Sequence, residues 1–316
     1  YDGGETPMNW LTPDNQQYRL FDIWYELFLQ GRRTKENFQQ DMDPNYWYNV
    51  DNRINFQTDS FASTYATAHI NSFETGNWLL KEYGHLVDEW ITGTVEHIEQ
   101  NENGSISGLR LDGDRTVKSH FYVDCTGFKR IIGRALNLKW RPATGKIVHN
   151  AALVTANSYT DPYTEMHTYT TNAAQDRGWM FRIPLLDRKS FGYVFNTEQS
   201  SQDQILAELD TVSNPTTRTV DPFLLKWTPG SYENSWSSNY CLVGLAASFV
   251  EAFEGSAIIL QMQQIDMLTS FIKNPALAAG SPAKFSQHLL DTMDSISERV
   301  DLTFGLAPRN NTDYWR

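Results

Sequence analysis

A mixed α/β fold with helices packed on sheets is predicted by three features of this sequence. Alternating hydrophobicity with two turn signals fills residues 85–125, two more strand patterns lie within 178–195, and two long helical stripes follow residue 256. The stretch that organises them is Cys241-Leu-Val-Gly-Leu-Ala-Ala-Ser-Phe-Val-Glu-Ala-Phe-Glu-Gly-Ser-Ala-Ile-Ile-Leu260. It reads as a short strand, a small-residue turn from Gly244, two carboxylates (Glu251 and Glu254) and a helix starting at Ser256. A strand, a turn and a helix N-terminus together bring backbone N–H groups up to a ligand and favour an anion.

Taken in order, Tyr1 to Pro13 is loop-like, and Tyr18 to Gln30 spaces Leu20, Phe21, Ile23, Trp24, Leu27 and Phe28 as one helix face stopped by Gly31. Asp43 to Tyr48 is an aromatic knot beside a turn signal, read as packing over a core edge. Asn71 to Tyr83 is a second helix, stopped by Gly84. His85 to Gln100 then alternates, Asn103-Gly104 turns, Ile106 to Leu111 returns, Asp112-Gly113 turns, and Val117 to Cys125 runs forward as the last strand of a β-meander. That strand places Asp124 and Gly127 at its C-terminal end, where open α/β sheets bind ligands.

Met166 to Thr171 is read as a strand. Gly178 to Leu185 and Ser190 to Phe195 are two more, with Trp179, Phe181 and Ile183 on one face of the first and Met180 and Arg182 on the other. Gln202 to Leu209 is a short helix. Ile258, Met262, Ile265, Leu268 and Ile272 form a stripe ended by Pro275, and Phe285, Leu289, Met293, Ile296 and Val300 form another after Ser281-Pro282. Both stripes are read as core.

The 316 residues suffice for one large or two ordinary domains, and 40% hydrophobic with 20% charged residues is a globular balance. A net charge of −12 argues against nucleic-acid and anionic-membrane partners. No apolar run approaches the ~20 residues of a membrane span. Cys125 and Cys241 both lie in apolar runs and read as buried thiols of a reducing, cytoplasmic compartment. The chain opens on Tyr1 in mid-pattern, as a fragment or processed chain would. Its 10 Trp could line a flat-ring pocket, although large cores also collect them.

The chemistry narrows by elimination. His69, His85, His97, His120, His149, His167 and His288 are scattered, without metal-ligand spacing, so no metal is expected. Ser248 sits in Ala-Ala-Ser-Phe-Val, which is not a nucleophile elbow, and no Gly-x-Gly-x-x-Gly or Walker loop occurs. Glu251 is most simply a solvated loop residue or a complement to the helix dipole. Glu254, bounded by apolar neighbours, is a candidate for function.

These residues resemble the flavin-dependent tryptophan halogenases. That family carries Gly-Leu-Ala-x-x-Phe-Val/Leu-Glu-Pro-Leu-Glu-Ser-Thr, and Gly244-Leu-Ala-Ala-Ser-Phe-Val-Glu-Ala-Phe-Glu-Gly-Ser256 is similar to it. Asp124-Cys-Thr-Gly127 is similar to the family's Asp-Cys-Ser/Thr-Gly. Gly178-Trp-Met-Phe-Arg-Ile-Pro184 and Gly192-Tyr-Val-Phe195 are similar to its Gly-Trp-x-Trp-x-Ile-Pro and Gly-Tyr-Val-Phe/Tyr. Order and spacing agree over roughly residues 65–316.

The resemblance implies a FAD-binding fold of the aromatic-hydroxylase type, with β-meander, mixed sheets and long packing helices. It implies reduced FAD from a separate flavin reductase, O2, and a halide (chloride, bromide or iodide). The hypohalous acid formed would reach an electron-rich aromatic substrate such as tryptophan, an indole or a phenol. Carried over by position, Glu254 is catalytic, Ser256 and Ala257 bind halide, and Asp124, Gly127, Gly244, Ala247 and Gly255 meet the cofactor. Trp179, Phe181, Ile183 and Pro184 belong to the motif that separates halogenases from monooxygenases.

This sequence departs from the family at Phe181, at Ala252-Phe253 and at Gly255-Ser256-Ala257. These changes bear on substrate and halide preference. The family's Gly-x-Gly-x-x-Gly and essential lysine match nothing here, Lys35, Lys81, Lys118, Lys129 and Lys139 included. The reading is therefore one halogenase-like unit over 1–316, incomplete at both ends. Residues 65–135 and 240–275 form its FAD side, 140–235 its substrate-side sheet, and 1–64 and 280–316 a helical cover. If the 316 residues are everything, weak FAD binding and no turnover are expected. Two rival readings remain, an aromatic flavin monooxygenase and a non-catalytic ligand-binding remnant. A homo-oligomer is compatible with all three.

Overall fold

The computed structural model describes residues 20–34, 37, 41, 69–146, 149–274, 281–305 and 311–315, without the side chains of 20–23, 254 and 281. The aromatic knot at 43–48, the opening loop, Lys35 and Pro275 lie outside them. The helices are α1 (Leu20–Leu29), α2 (Ser72–Tyr83), α3 (Ile131–Ala135), α4 (Gln202–Val212), α5 (Ser256–Lys273) and α6 (Ser281–Gly305). The strands are β1 (Val95–Gln100), β2 (Ile106–Leu111), β3 (Arg115–Val117), β4 (Tyr122–Asp124), β5 (Trp140–Pro142), β6 (Ala151–Asn157), β7 (Thr171–Gln175), β8 (Gly178–Pro184), β9 (Lys189–Phe195), β10 (Arg218–Lys226), β11 (Gly230–Tyr232), β12 (Trp236–Ser237), β13 (Tyr240–Leu242) and β14 (Ser248–Phe249). The α/β prediction holds.

The chain divides into a small unit (1–71, 159–171 and 183–189) and a large one (72–158, 172–182 and 190–316). In the small unit α1 ends as its sequence directs. Gly31 takes φ 70°, its N–H donates to the Phe28 carbonyl, and the Arg32 N–H donates to that of Leu27. Buried Trp24 stacks on Phe28 and its Nε1–H donates to Asp41. Elsewhere in this unit Lys189 pairs with Glu165 beside the Tyr159 ring, and the Tyr159 hydroxyl donates to the Leu185 carbonyl.

Among the described residues the strands form four sheets, with orders β1-β2-β3, β10-β6-β9-β8-β7, β14-β11-β5 and β12-β13-β4. The meander is shorter than its alternation suggested. Its first strand begins only at Val95, after a 3-10 turn at Gly84–Leu86, and its first connection is a five-residue loop closed by the Asn101 N–H on the Ser105 carbonyl. Val117 to Cys125 is also not one strand. The chain leaves β3 at Val117, and Tyr122–Asp124 joins a different sheet, parallel to Tyr240–Leu242. The strand expected at Met166–Thr171 lies at Thr171–Gln175.

β8 meets the expectation of two different faces. Trp179 and Phe181 pack with Val194, Trp227, Phe249 and Phe253, whereas Met180 packs with Leu153, Phe191, Phe195, Ile205 and Leu209. The second group includes α4, which starts at a capping box between Ser201 and Gln204. The α6 stripe is core as predicted, with Phe285, Leu289, Met293 and Val300 all buried. The α5 stripe is core only at Leu268. Ile258, Met262, Ile265 and Ile272 are exposed, and the face the helix buries is Leu260, Gln264 and Leu268 at i, i+4 and i+8. Buried Gln264 accounts for this rotation, because its Oε1 accepts the Gly244 N–H at 2.7 Å and fixes which face turns inward. No helix among the described residues is long and apolar enough to cross a membrane.

Candidate functional site

The site is built where two parallel strands end side by side. In the register of β4 and β13, Val123 faces Cys241 and Asp124 faces Leu242, and the Val243 N–H donates to the Asp124 carbonyl at 3.0 Å. Past these ends come Gly127 (φ 62°) on one strand and Gly244 (φ 64°) on the other. Asp124 is 2% exposed and spends its carboxylate on its own turn. Oδ1 accepts from the Thr126 N–H (2.9 Å) and hydroxyl (2.6 Å), and Oδ2 accepts from the Ile132 N–H (2.8 Å) at the start of α3. Asp124 therefore shapes the Cys125–Gly127 loop. Cys125 itself is exposed, against the expectation of a buried thiol, because β4 ends one residue before it. Cys241, in β13, is buried as expected, and burial pushes its thiol up to about 12.

From Gly244 the chain makes a 3-10 turn. Fully buried Ala247 donates its N–H to the Gly244 carbonyl and accepts the Tyr232 N–H at 3.0 Å. β14 leads through Glu251 to a second 3-10 turn, Phe253–Gly255, which contains the backbone of Glu254. Gly255 adopts φ 65° as the residue before α5 and supplies no side-chain cap. The first N–H groups of α5 are thus left for an outside acceptor. The Ser256 hydroxyl turns back to the Phe253 carbonyl at 3.1 Å.

Gly244, Ser248, Glu251, Ser256 and Ala257 line one narrow cavity of about 10 Å³, room on the scale of a single water or monatomic ion. The Ser248 hydroxyl is buried and has no hydrogen-bond partner among the described residues. The structure therefore brings Gly244, Ser256 and Ala257 together, while Gly127 lies at the neighbouring strand end. Trp179 reaches the same region through packing. It is 3% exposed and meets the Phe253 ring edge-on at 5.7 Å and the Phe304 ring at 6.1 Å. Phe181 packs against Gly192, whereas Ile183 and Pro184 belong to the small unit.

Glu251 overturns its expected solvated position. It is 1% exposed; His149 Nδ1 meets its Oε2, and its Oε1 accepts the Ala252 N–H at 2.7 Å. His149 Nε2 in turn meets the Tyr314 hydroxyl, and Phe304 closes on the imidazole with ring centroids 4.8 Å apart. Burial and the nearby Glu251 charge push the Tyr314 phenol well above its usual range. His149 and Tyr314 were not singled out from the sequence. The one signal at His149 is that it lies just before the apolar run Ala151-Ala-Leu-Val154, as many polar residues do, and Tyr314, between Asp313 and Trp315, carries none. Among the described residues no group of three or more His, Cys, Asp or Glu side chains could hold a metal ion.

With this geometry in place, the comparisons with known proteins are specific. The tryptophan halogenase family description matches residues 13–316. Tryptophan 7-halogenase RebH of Lentzea aerocolonigenes is 24% identical over 229 residues, 70% of this chain and 42% of its own length. Tryptophan 6-halogenase SttH of Streptomyces toxytricini is 25% identical over 267 residues, 81% of this chain and 48% of its own. The chain spans less than half the length of these relatives. Among solved structures, BrvH, a flavin-dependent halogenase from Brevundimonas sp. BAL3, superposes with a TM-score of 0.83 at 23% identity, covering 95% of this chain and 61% of that one. The fold is that of the FAD-binding flavin-dependent halogenases, and the chain belongs to the tryptophan halogenase family.

Proposed function

We propose that this chain carries the halide-handling part of a flavin-dependent halogenase, which uses reduced FAD, O2 and halide to halogenate an electron-rich aromatic such as tryptophan, an indole or a phenol. The observation that carries the reading is the cavity shared by Gly244, Ser248, Glu251, Ser256 and Ala257 at the uncapped start of α5, where the Glu251 oxygens are already engaged by His149 and the Ala252 N–H.

The donor set fits a halide. Backbone N–H groups at a helix start favour an anion, and the unpartnered Ser248 hydroxyl can donate to it. It also fits a flavin at the rim, where Gly127, Gly244 and Gly255 offer backbone with little side-chain bulk, and Asp124 holds the turn that presents it. Ala247, fully buried with its N–H and carbonyl both engaged, supports that turn from behind and does not meet the cofactor as expected. FAD, reduced by a separate reductase and meeting O2, would supply the oxidising equivalents that make the halide electrophilic. The chain's own part is to hold the halide and to exclude water behind Trp179, Phe253 and Phe304. Glu254 helps to activate the electrophile or takes the proton lost by the aromatic ring. Two free cysteines accord with a reducing compartment such as the cytoplasm.

The test is a reaction of this protein with a flavin reductase, NADH, FAD, one halide at a time and a panel of indoles and phenols, read by mass spectrometry. Halogenated products that disappear in Glu254→Gln are expected. Hydroxylated products without halogen would overturn the reading in favour of a monooxygenase.

A further inference from the structure

A second concavity, of about 330 Å³, shares no lining residue with the cavity above. Its charged wall consists of Arg130, Arg134 and Lys226, and among the described residues no carboxylate lines it. In a chain of net charge −12 that is a local inversion of sign. Among the described residues none of the three cations has a salt-bridge partner, whereas Arg141, Arg177 and Arg218 each pair with an acid.

Arg130 is the most telling of them. It is 6% exposed, and its Nε and Nη2 are buried without a hydrogen-bond partner among the described residues. Its guanidinium carbon lies 3.7 Å from the centroid of the Trp140 ring. A buried guanidinium without an anion is costly, and desolvation pulls its pKa down to about 10. It is also held at φ 52°, a conformation unfavourable to side-chain-bearing residues, so its backbone is locked as the residue that starts α3.

The rest of the wall is preorganised for polar contact. The Asn150 amide exchanges two hydrogen bonds with Thr197, Nδ2–H to Oγ1 at 3.1 Å and Oδ1 from the Thr197 N–H at 2.9 Å. The Asn150 carbonyl accepts the Trp227 N–H at 2.9 Å, and the Trp227 indole Nε1–H is buried and unpartnered. Three cations without an acid partner around one concavity, with no carboxylate of the described residues beside them, are the complement of a multivalent oxyanion.

We propose that the concavity bounded by Arg130, Arg134, Lys226, Asn150, Thr197 and Trp227 is a binding site for a small multivalent oxyanion, of the phosphate or polycarboxylate class. The bound anion would supply the missing counter-charge to Arg130, with Arg134 and Lys226 at the mouth drawing it in. The site stands independently of the halide cavity.

Pyrophosphate and citrate are the probes, titrated calorimetrically into the 316-residue chain at constant ionic strength, with Tm followed in parallel. Saturable binding and a rise in Tm are expected. The exposed pair Arg134→Gln/Lys226→Gln should weaken binding by about tenfold or more while leaving the ligand-free Tm unchanged. Arg130→Met should abolish binding; because that residue also packs on Trp140, the exposed pair keeps the test decisive should this variant fold poorly. Tighter binding of pyrophosphate assigns a phosphate ligand, and tighter binding of citrate a carboxylate. No saturable binding, or equal binding by the Arg134/Lys226 variant, overturns the proposal.

Discussion

The carboxylate of Glu251 and the imidazole of His149 face each other with side-chain exposures of 0% and 3%, so neither has water to fall back on. The two residues join segments 102 positions apart. Tyr314 extends the connection from His149 to the C-terminal end of the chain. Through the bond to the Ala252 N–H, the same glutamate fixes the start of the turn that carries Glu254.

Glu251→Ala should therefore be among the most damaging single changes outside the hydrophobic core. It strands a buried imidazole and a backbone N–H, and a loss of about 3 kcal/mol is expected. Urea unfolding of the variant checks this. Glu251→Gln, which keeps both hydrogen-bonding positions, should recover a large part of the loss.

Alkaline pH should destabilise the fold. Tyr314 and Tyr193 are both held far above an ordinary phenol, Tyr314 by burial and by Glu251, and Tyr193 by burial and by its hydrogen bond to Glu208. Because the folded state keeps these protons more tightly, their contribution is fully present below the unfolded-state pKa of about 10 and is lost as pH rises beyond it. Unfolding followed across that range should show stability falling with pH, and less steeply in Tyr314→Phe.

The two thiols should respond unequally to a disulfide reagent. Cys125 is exposed and Cys241 is not. One equivalent of thiol is expected to react in the native protein and a second only in denaturant. The native reaction should be slow at neutral pH, since partial desolvation by its surroundings and the neighbouring Asp124 raise the Cys125 thiol as well.

Gly255→Ala tests the helix start. A Cβ there would meet nothing within 4 Å, so the penalty is conformational and comes from φ 65°. About 1 kcal/mol of stability should be lost, as read by thermal unfolding. If the α5 N–H groups hold the halide, halide affinity should fall more than stability does.

The site was legible in the sequence where it is local. Gly244, Gly255, Ser256 and Ala257 lie within one strand–turn–helix pattern, and short-range signals suffice to place them together. His149 and Tyr314 were not legible, because nothing local marks a partner 102 or 165 residues away. Glu251 was misjudged for the same reason, since its hydrogen-bonding partner His149 is distant in sequence.

Among the elements, β6 escaped notice because it is buried on both faces and does not alternate. β10 escaped because Pro222 interrupts it, at a register shift between Val220 and Phe223 where a missing N–H is tolerated. The α5 stripe was a genuine periodicity pointing the wrong way. Its inward face is set by one glutamine's bond to Gly244, which hydrophobicity does not encode.

The two-sided strand β8 has a bearing on protein engineering. Alternate residues of a single seven-residue segment serve as masonry for two separate interiors, Trp179 and Phe181 for one and Met180 for the other. A campaign that reshapes the aromatic side for new specificity can shift the shared backbone and loosen the aliphatic side, whose packing against α4 lies far from the chemistry being selected. Libraries at Trp179 and Phe181 would therefore gain from being paired with repacking at Met180, Ile205 and Leu209.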